Sequence, residues 1–367
     1  MRLLVLALLF LAAPLAAQPD IAPYAARQIA PGVHLLATPP EYRGAVTGNI
    51  TIIEQSDGLV VIDSGLTRAD GRRAVAFIRS ITRKPVKVLL YTHWHNDHPQ
   101  GGSEIRAAWP GVRIVSTQAT LSALQGPIQR YIGLRPDERM EAIFLNQSAG
   151  TLAFIAAQLR NPQHDEATRA RYRRMEADTR ERMTAIRGTY LVLPTESFTD
   201  ELRIDDLVRP VHLRFLGRAN TDGDAIAWLP NERIVVTGDI VVSPIPFGFF
   251  SFPGDWIAVL ERIKALDYRI LIPGHGEPQA DTAYVDRLIA TLADLRAQIA
   301  PLAAQGLSLE EVQRRVDWSA QRAIFGDTPR NRLLFDAYWL NPMTINTYME
   351  ARGTPMVQGE ESLYPAN

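Results

Sequence analysis

The sequence predicts an α/β layered domain, and three observations carry that expectation. Short β-branched runs alternate with an amphipathic stretch between residues 33 and 116, and similar runs return between residues 211 and 272. The segment between these two blocks has a helical composition instead. Several of the runs end directly in short loops rich in His, Asp and Gly. Strands interleaved with helices are the signature of helices layered on sheets.

The elements follow in order. His34-Leu35-Leu36-Ala37, Asn49-Ile50-Thr51-Ile52-Ile53-Glu54 and Leu59-Val60-Val61-Ile62-Asp63 read as strands, with Ser56-Asp57-Gly58 as a hairpin turn between the last two. Ala69 to Thr82 has the spacing of an amphipathic helix. Val86 to Thr92 reads as a mostly buried strand, and Val112 to Ser116 as another. From about Ala119 to Thr195 the chain reads as a helical insertion, because Thr168 to Arg187 is dense in Arg, Glu, Met and Ala without Gly or Pro. Its charged face reads as solvated, with a grip on substrate as the alternative. Strands resume at Val211 to Leu216, Ala225 to Leu229 and Ile234 to Thr237, and Pro230-Asn231-Glu232 turns between the last two. A helix over Asp255 to Leu266 precedes a strand over Arg269 to Ile272, and everything after Ala280 reads as helices. The expected organisation is one domain over residues 31–282, containing the insertion at 119–195, and a helical extension over 283–367.

Residues 1–17 are expected to be a signal peptide. Met1-Arg2 gives a positive start, Leu3 to Ala13 is almost wholly aliphatic, and Pro14-Leu15-Ala16-Ala17 supplies small residues before Gln18. The apolar run is too short to span a bilayer, so the expected protein is exported, and periplasmic in a Gram-negative host. The chain has no cysteine, which excludes a thiolate metal ligand and a lipidated cysteine. Lys and Arg number 39 against 40 for Asp and Glu, so there is no electrostatic footprint for nucleic acid. A small-molecule substrate is the expected partner; nothing in the sequence fixes the oligomeric state.

His93, His95, Asp97 and His98 fall within six residues directly after a buried strand. A strand end that opens into a loop can turn several side chains toward one point, and imidazole with carboxylate is a donor set that Zn²⁺ favours. Four ligands rarely serve two metals, so further donors are expected at other strand ends, where α/β sheets place their sites. Asp239 in Thr237-Gly238-Asp239 and His275 between Gly274 and Gly276 qualify by position.

These segments resemble the metallo-β-lactamase superfamily. The resemblance runs roughly from Pro31 to Pro278 and rests on Asp63-Ser64-Gly65, Thr92-His93-Trp94-His95-Asn96-Asp97-His98, Gly217 to Asp224, Thr237-Gly238-Asp239 and Pro273-Gly274-His275-Gly276. It implies a four-layer αββα sandwich with one or two Zn²⁺ ions at one edge. It also implies that His93 and His95 hold one metal, that Asp97, His98 and His275 hold the other, and that Asp239 bridges them. Asp97 is in addition a candidate general base. The implied chemistry is attack by metal-bound hydroxide.

Two departures narrow this. The family's third histidine usually stands in a Gly-x-Ala-His-Thr-x-Gly segment, whereas this chain reads Gly217-Arg218-Ala219-Asn220-Thr221-Asp222-Gly223. An amide oxygen at Asn220 is a weaker zinc donor than imidazole, and His34, His164 and His212 read as structural, so the first site is expected to be weakened. Second, metallo-β-lactamases proper generally carry Cys or Ser where this chain has Asp239, which looks more like the glyoxalase II, lactonase and phosphodiesterase branches. The expected function is therefore hydrolysis of an ester, lactone, thioester or amide. A β-lactamase in the strict sense and a metal-binding exported protein with little catalysis are the alternatives. Two positions stay open: Asp63 either supports a ligand loop or only forms a turn, and the four phenylalanines between Phe247 and Phe252 either wall a pocket or pack beneath the insertion.

Overall fold

The computed structural model describes residues 24–40, 47–126, 128, 141–354 and 356–358. The expected signal peptide lies outside them, as does part of the expected insertion.

Seven strands make the first sheet in sequence order: β1 (Ala25–Ala30), β2 (Val33–Ala37), β3 (Ile50–Glu54), β4 (Leu59–Ile62), β5 (Val86–Leu90), β6 (Arg113–Thr117) and β7 (Glu196–Phe198). The first four pair antiparallel and the rest parallel. The second sheet runs β12 (Ile270–Ile272), β11 (Ile234–Val236), β10 (Ala225–Leu229), β9 (Val211–Phe215), β8 (Glu201–Ile204), with only the β11–β12 pair parallel. Glu54 faces Leu59 and Leu229 faces Ile234, so both expected turns close antiparallel pairs. The two-residue period of a strand divides each sheet into two apolar faces. Val60, Ile62, Val88 and Leu90 meet Leu213, Ala227, Ile234 and Ile272 in the layer between the sheets. Leu59, Val61 and Leu89 point the other way, against Ala74, Ile78, Ile105 and Leu124.

Those outward contacts come from α1 (Arg68–Ile81), α2 (Gly102–Ala108) and α3 (Gln118–Gln125). α1 starts where Thr67 and Asp70 form a reciprocal capping box, and it buries Ala74, Val75 and Ile78 at helical spacing. On the far side α6 (Pro253–Lys264) and α7 (Ala283–Ala304) cover the second sheet: Trp256, Val259, Leu260, Leu288 and Leu292 share a cluster with Ile226, Val235 and Leu271. Helix, sheet, sheet, helix is the four-layer order.

Two long helices, α4 (Glu141–Arg160) and α5 (Glu166–Ile186), occupy the expected insertion, and Asp165 caps α5 through the Thr168 amide. The chain then runs without regular structure to β7. The last block is α8 (Leu309–Arg315), α9 (Ser319–Phe325), α10 (Pro329–Phe335) and α11 (Asn341–Ala351), with a π-helical turn over Asp336–Leu340. Phe335, Trp339 and Met343 join the α6–α7 cluster, so these helices share its core. Among the described residues no helix is long and apolar enough to cross a membrane.

Candidate metal centre

The loops that follow β5, β11 and β12 open at one edge of the sandwich and deliver the donors. The β5 loop carries His93 to His98, the turn after β11 carries Asp239, and the β12 loop carries His275. Backbone pairing ties them together: the Gly48 amide donates to the Asp97 carbonyl at 3.0 Å, Asn49 to Gly274 at 2.7 Å and Ala225 to Thr92 at 2.8 Å.

Two donor groups result. His93, His95 and Asp239 offer ligand atoms within 4.8 Å of one another, and so do Asp97, His98 and His275. Asp239 stands between them. Its Oδ2 lies 3.5 Å from His93 Nε2 and 3.5 Å from His95 Nδ1, while Oδ1 lies 3.2 Å from His98 Nε2 and 3.4 Å from His275 Nε2. His275 Nε2 is also 3.2 Å from Asp97 Oδ2 and 3.3 Å from His98 Nε2.

The far side of the rings decides which nitrogens face the cluster. Asp63 Oδ1 accepts from the Thr92 amide at 2.8 Å, and its Oδ2 accepts from Thr92 Oγ1 at 2.8 Å and pairs with His98 Nδ1 at 2.8 Å. A carboxylate only accepts, so His98 carries its proton on Nδ1 and turns Nε2 inward. Thr92 Oγ1 has spent its hydrogen on Asp63 and therefore accepts from His93 Nδ1 at 3.0 Å. One carboxylate thus fixes two histidines, one directly and one through a hydroxyl. Asp63 holds this position with φ of 61°, a left-handed conformation uncommon outside glycine.

Burial and neighbouring charge set the protonation of the metal-free cluster. Burial pushes His93 down to about 4, reinforced by the charges of His98 and His95, so it is a neutral imidazole, the form a metal takes as ligand. Burial also opposes charge on His98 and His275, but Asp239 and Asp97 outweigh it, lifting His275 to about 9 and His98 well above its ordinary range. Asp97 is held at about 2 against its burial by His98 and His275, and Asp239 well below the usual carboxylate range by the same two rings.

The residues fit a divalent metal. Burial leaves His93 Nε2, His95 Nε2 and Asp239 Oδ1 without a hydrogen-bond partner, which is costly unless something else satisfies them. Nitrogen and carboxylate oxygen without thiolate is a donor set suited to zinc, and a metal held here would take the place of protons on His98 and His275.

Asn220 lies in the loop between β9 and β10, fully buried. Its Nδ2 donates to the Phe247 carbonyl at 2.6 Å, and its Oδ1 has no partner. Phe247 packs its ring 5.2 Å from that of His95. The other histidines are elsewhere: His34 pairs with Glu54 at 3.0 Å, His164 with Gln158 at 2.8 Å and His212 with Glu201 at 3.5 Å. The aromatic loop touches both open alternatives, since Phe247 meets a donor ring while Phe250 joins the apolar cluster that contains Leu191.

Asn49 was not legible as a site residue. Its Nδ2 donates to the carbonyls of Pro273 at 2.9 Å and Gly276 at 3.0 Å, bracketing His275 from 224 and 227 residues away. Nothing near Asn49 in the chain signals this.

Gly274 is required by close approach, since a Cβ there would overlap Asp239 Oδ1 and the Gly238 carbonyl carbon. Gly274→Ala is expected to displace the Asp239 carboxylate. Overpacking of this kind costs about 1–3 kcal/mol, so denaturant titration should show that loss together with weaker zinc retention in a chelator competition.

The family model described as the metallo-beta-lactamase superfamily matches residues 43–275. The chain belongs to that superfamily. It is similar to a linear primary-alkylsulfatase of Pseudomonas sp., 24% identical over 273 residues that make up 68% of this chain and 45% of that protein. A 62-residue stretch is 36% identical to the alkyl/aryl-sulfatase BDS1 of Saccharomyces cerevisiae, covering 17% of this chain and 10% of that one. The chain thus spans less than half the length of these curated relatives. Among solved structures, the DIM-1 metallo-beta-lactamase exposed to ceftazidime aligns with a TM-score of 0.50 at 14% identity, over 75% of this chain and 99% of that chain. That likeness concerns the superfamily fold.

Proposed function

We propose that the protein is a zinc-dependent hydrolase that cleaves an ester whose remainder is apolar. The observation that carries this reading is the convergence of His93, His95, His98 and His275 on the two oxygens of Asp239, with Asp97 against His275 and His98. His93, His95 and Asp239 would hold one ion, with Asn220 at that end of the cluster, and Asp97, His98, His275 and Asp239 the other. A bound metal supplies Lewis acidity and a water of lowered pKa.

The chain's own residues do the rest. Asp63 and Thr92 keep Nε2 of His98 and His93 turned inward. Asp97 and His275 are the most exposed of the six donors, at 15% and 14% of their side chains, so substrate approaches from their side. Asp97 is there to take up the proton that hydrolysis releases. Phe247 covers His95 and presents an apolar surface next to the donors. The likeness to an alkylsulfatase makes a sulfate ester of an aliphatic alcohol the first substrate to try.

The test is metal analysis followed by a hydrolysis panel of alkyl sulfates, p-nitrophenyl esters of increasing chain length, lactones, thioesters and β-lactams. Turnover of esters that rises with chain length, is abolished by chelator and is restored by Zn²⁺ is the expected outcome. Zinc-loaded protein that cleaves β-lactams and no ester would replace this reading. We further propose that the protein is exported, on the strength of the pattern in residues 1–17; protein recovered from cells should then begin at Gln18.

A further inference from the structure

The loop that leaves Asp239 is held from outside the segment that defines the superfamily. The Gly248 amide donates to the Tyr338 carbonyl at 2.9 Å, and Asn346 Nδ2 on α11 donates to the Gly248 carbonyl at 2.6 Å and to Ser251 Oγ at 2.8 Å. Beyond α11, Gln358 is buried, with 7% of its surface exposed. Its Oε1 accepts from Trp94 Nε1 at 3.0 Å, and its Nε2 donates to the Phe250 carbonyl at 3.0 Å. Trp94 stands between two donor histidines, its ring 4.5 Å from that of His95 and 5.7 Å from that of Phe250. Phe250 has φ of 59°, a conformation that a bulky residue keeps only where its surroundings enforce it.

We propose that Gln358 is a positioning residue for substrate specificity: its amide locks the aromatic loop to the metal-binding loop and so sets the wall that receives the apolar part of the ester. The proposal rests on the hydrolase reading. The physical basis is the planar carboxamide, which presents an acceptor and a donor at fixed separation. Using both ends fixes the Trp94 indole relative to the Phe250 backbone, and because the group is buried, water does not replace the bonds at no cost. Trp94 transmits the constraint to His95 by ring contact, and Phe250 to Phe249, whose ring is 6.4 Å away and which in turn lies 5.1 Å from Phe247. The part of the pocket that distinguishes long from short chains is thus tied to residue 358, outside the matched segment 43–275.

Gln358→Met keeps the length of the side chain and removes both hydrogen bonds. With decyl sulfate as probe, KM is expected to rise about five- to tenfold, the effect of losing two modest bonds, while kcat, zinc content and KM for butyl sulfate stay within twofold. Trp94→Phe should raise KM similarly, and the double variant no further. Gln358→Glu keeps the acceptor for Trp94 but sets a carboxylate against the Phe250 carbonyl. KM should therefore rise at least as far as in Gln358→Met and fall back toward the parent value on acidification, where the protonated acid donates again. Trp94→Phe, which keeps the Phe250 bond, serves if neither Gln358 variant folds. The emission assigned to Trp94 by difference from Trp94→Phe should shift in both Gln358 variants. That measurement needs no turnover, so it tests the lock even if no ester proves to be a substrate. Variants that lose thermal stability while KM and Trp94 emission match the parent protein, or effects at 94 and 358 that simply add, overturn the proposal.

Discussion

Asp239→Asn is expected to lower kcat on the order of 10³-fold or more while leaving the fold standing. The substitution keeps the shape of the side chain and takes away its charge. Asp239 turns Oδ2 toward His93 and His95 and Oδ1 toward His98 and His275, so losing its charge weakens both ends at once. Metal centres contribute several kcal/mol of transition-state stabilisation, and each 1.36 kcal/mol is tenfold in rate. The side chain is buried on the inward face of the turn after β11, away from the packed layer between the sheets, so the thermal transition of the metal-free protein should stay cooperative. Metal analysis of the purified variant should show well under one zinc per chain at concentrations where the parent protein is loaded. A variant that retains its zinc and turns over normally would exclude Asp239 as the bridge.

How much of this was legible in the sequence depends on how local each signal was. His93, His95, Asp97 and His98 could be read directly, because one loop holds them and a buried strand precedes them. Asp239 and His275 were found from glycine neighbours at strand ends, since a backbone that approaches this closely leaves no room for a Cβ at Gly274. Strands with strong β-branched runs lie where expected, β10 over the same five residues. β1, β7 and β8 were not expected. AARQIA, ESF and ELRI lack the apolar density that periodicity detects, and their pairing comes from neighbouring strands. The supports of the site were the least legible. Asn49 reaches the His275 loop across more than 220 residues, and Gln358 reaches Trp94 across 264. A single polar side chain at such a separation leaves no local trace.

Asn220→His should separate metal binding from loop support, because the loop contact and the unpartnered oxygen of Asn220 are different atoms. Its Nδ2 holds the carbonyl of Phe247, whose ring lies against His95, and its buried Oδ1 has no hydrogen-bond partner and is the atom free to act as a donor to metal. Amide oxygen is a weak donor to zinc beside imidazole, so the parent protein is expected to bind one zinc tightly, among Asp97, His98, His275 and Asp239, and a second more loosely. Histidine at 220 should tighten the looser ion on the order of 10- to 100-fold, the scale carried even by the outer partners of a ligand. The same change removes the donor to Phe247. A partly buried carbonyl left without a partner costs up to about 1–3 kcal/mol, so the metal-free variant should melt lower than the parent even as its zinc content rises toward two per chain. Chelator competition and calorimetry on the same preparation read the two effects separately. Two zinc ions held with equal, tight affinity in the parent protein, and no gain in the variant, would show that the Asn220 oxygen already serves as a full ligand.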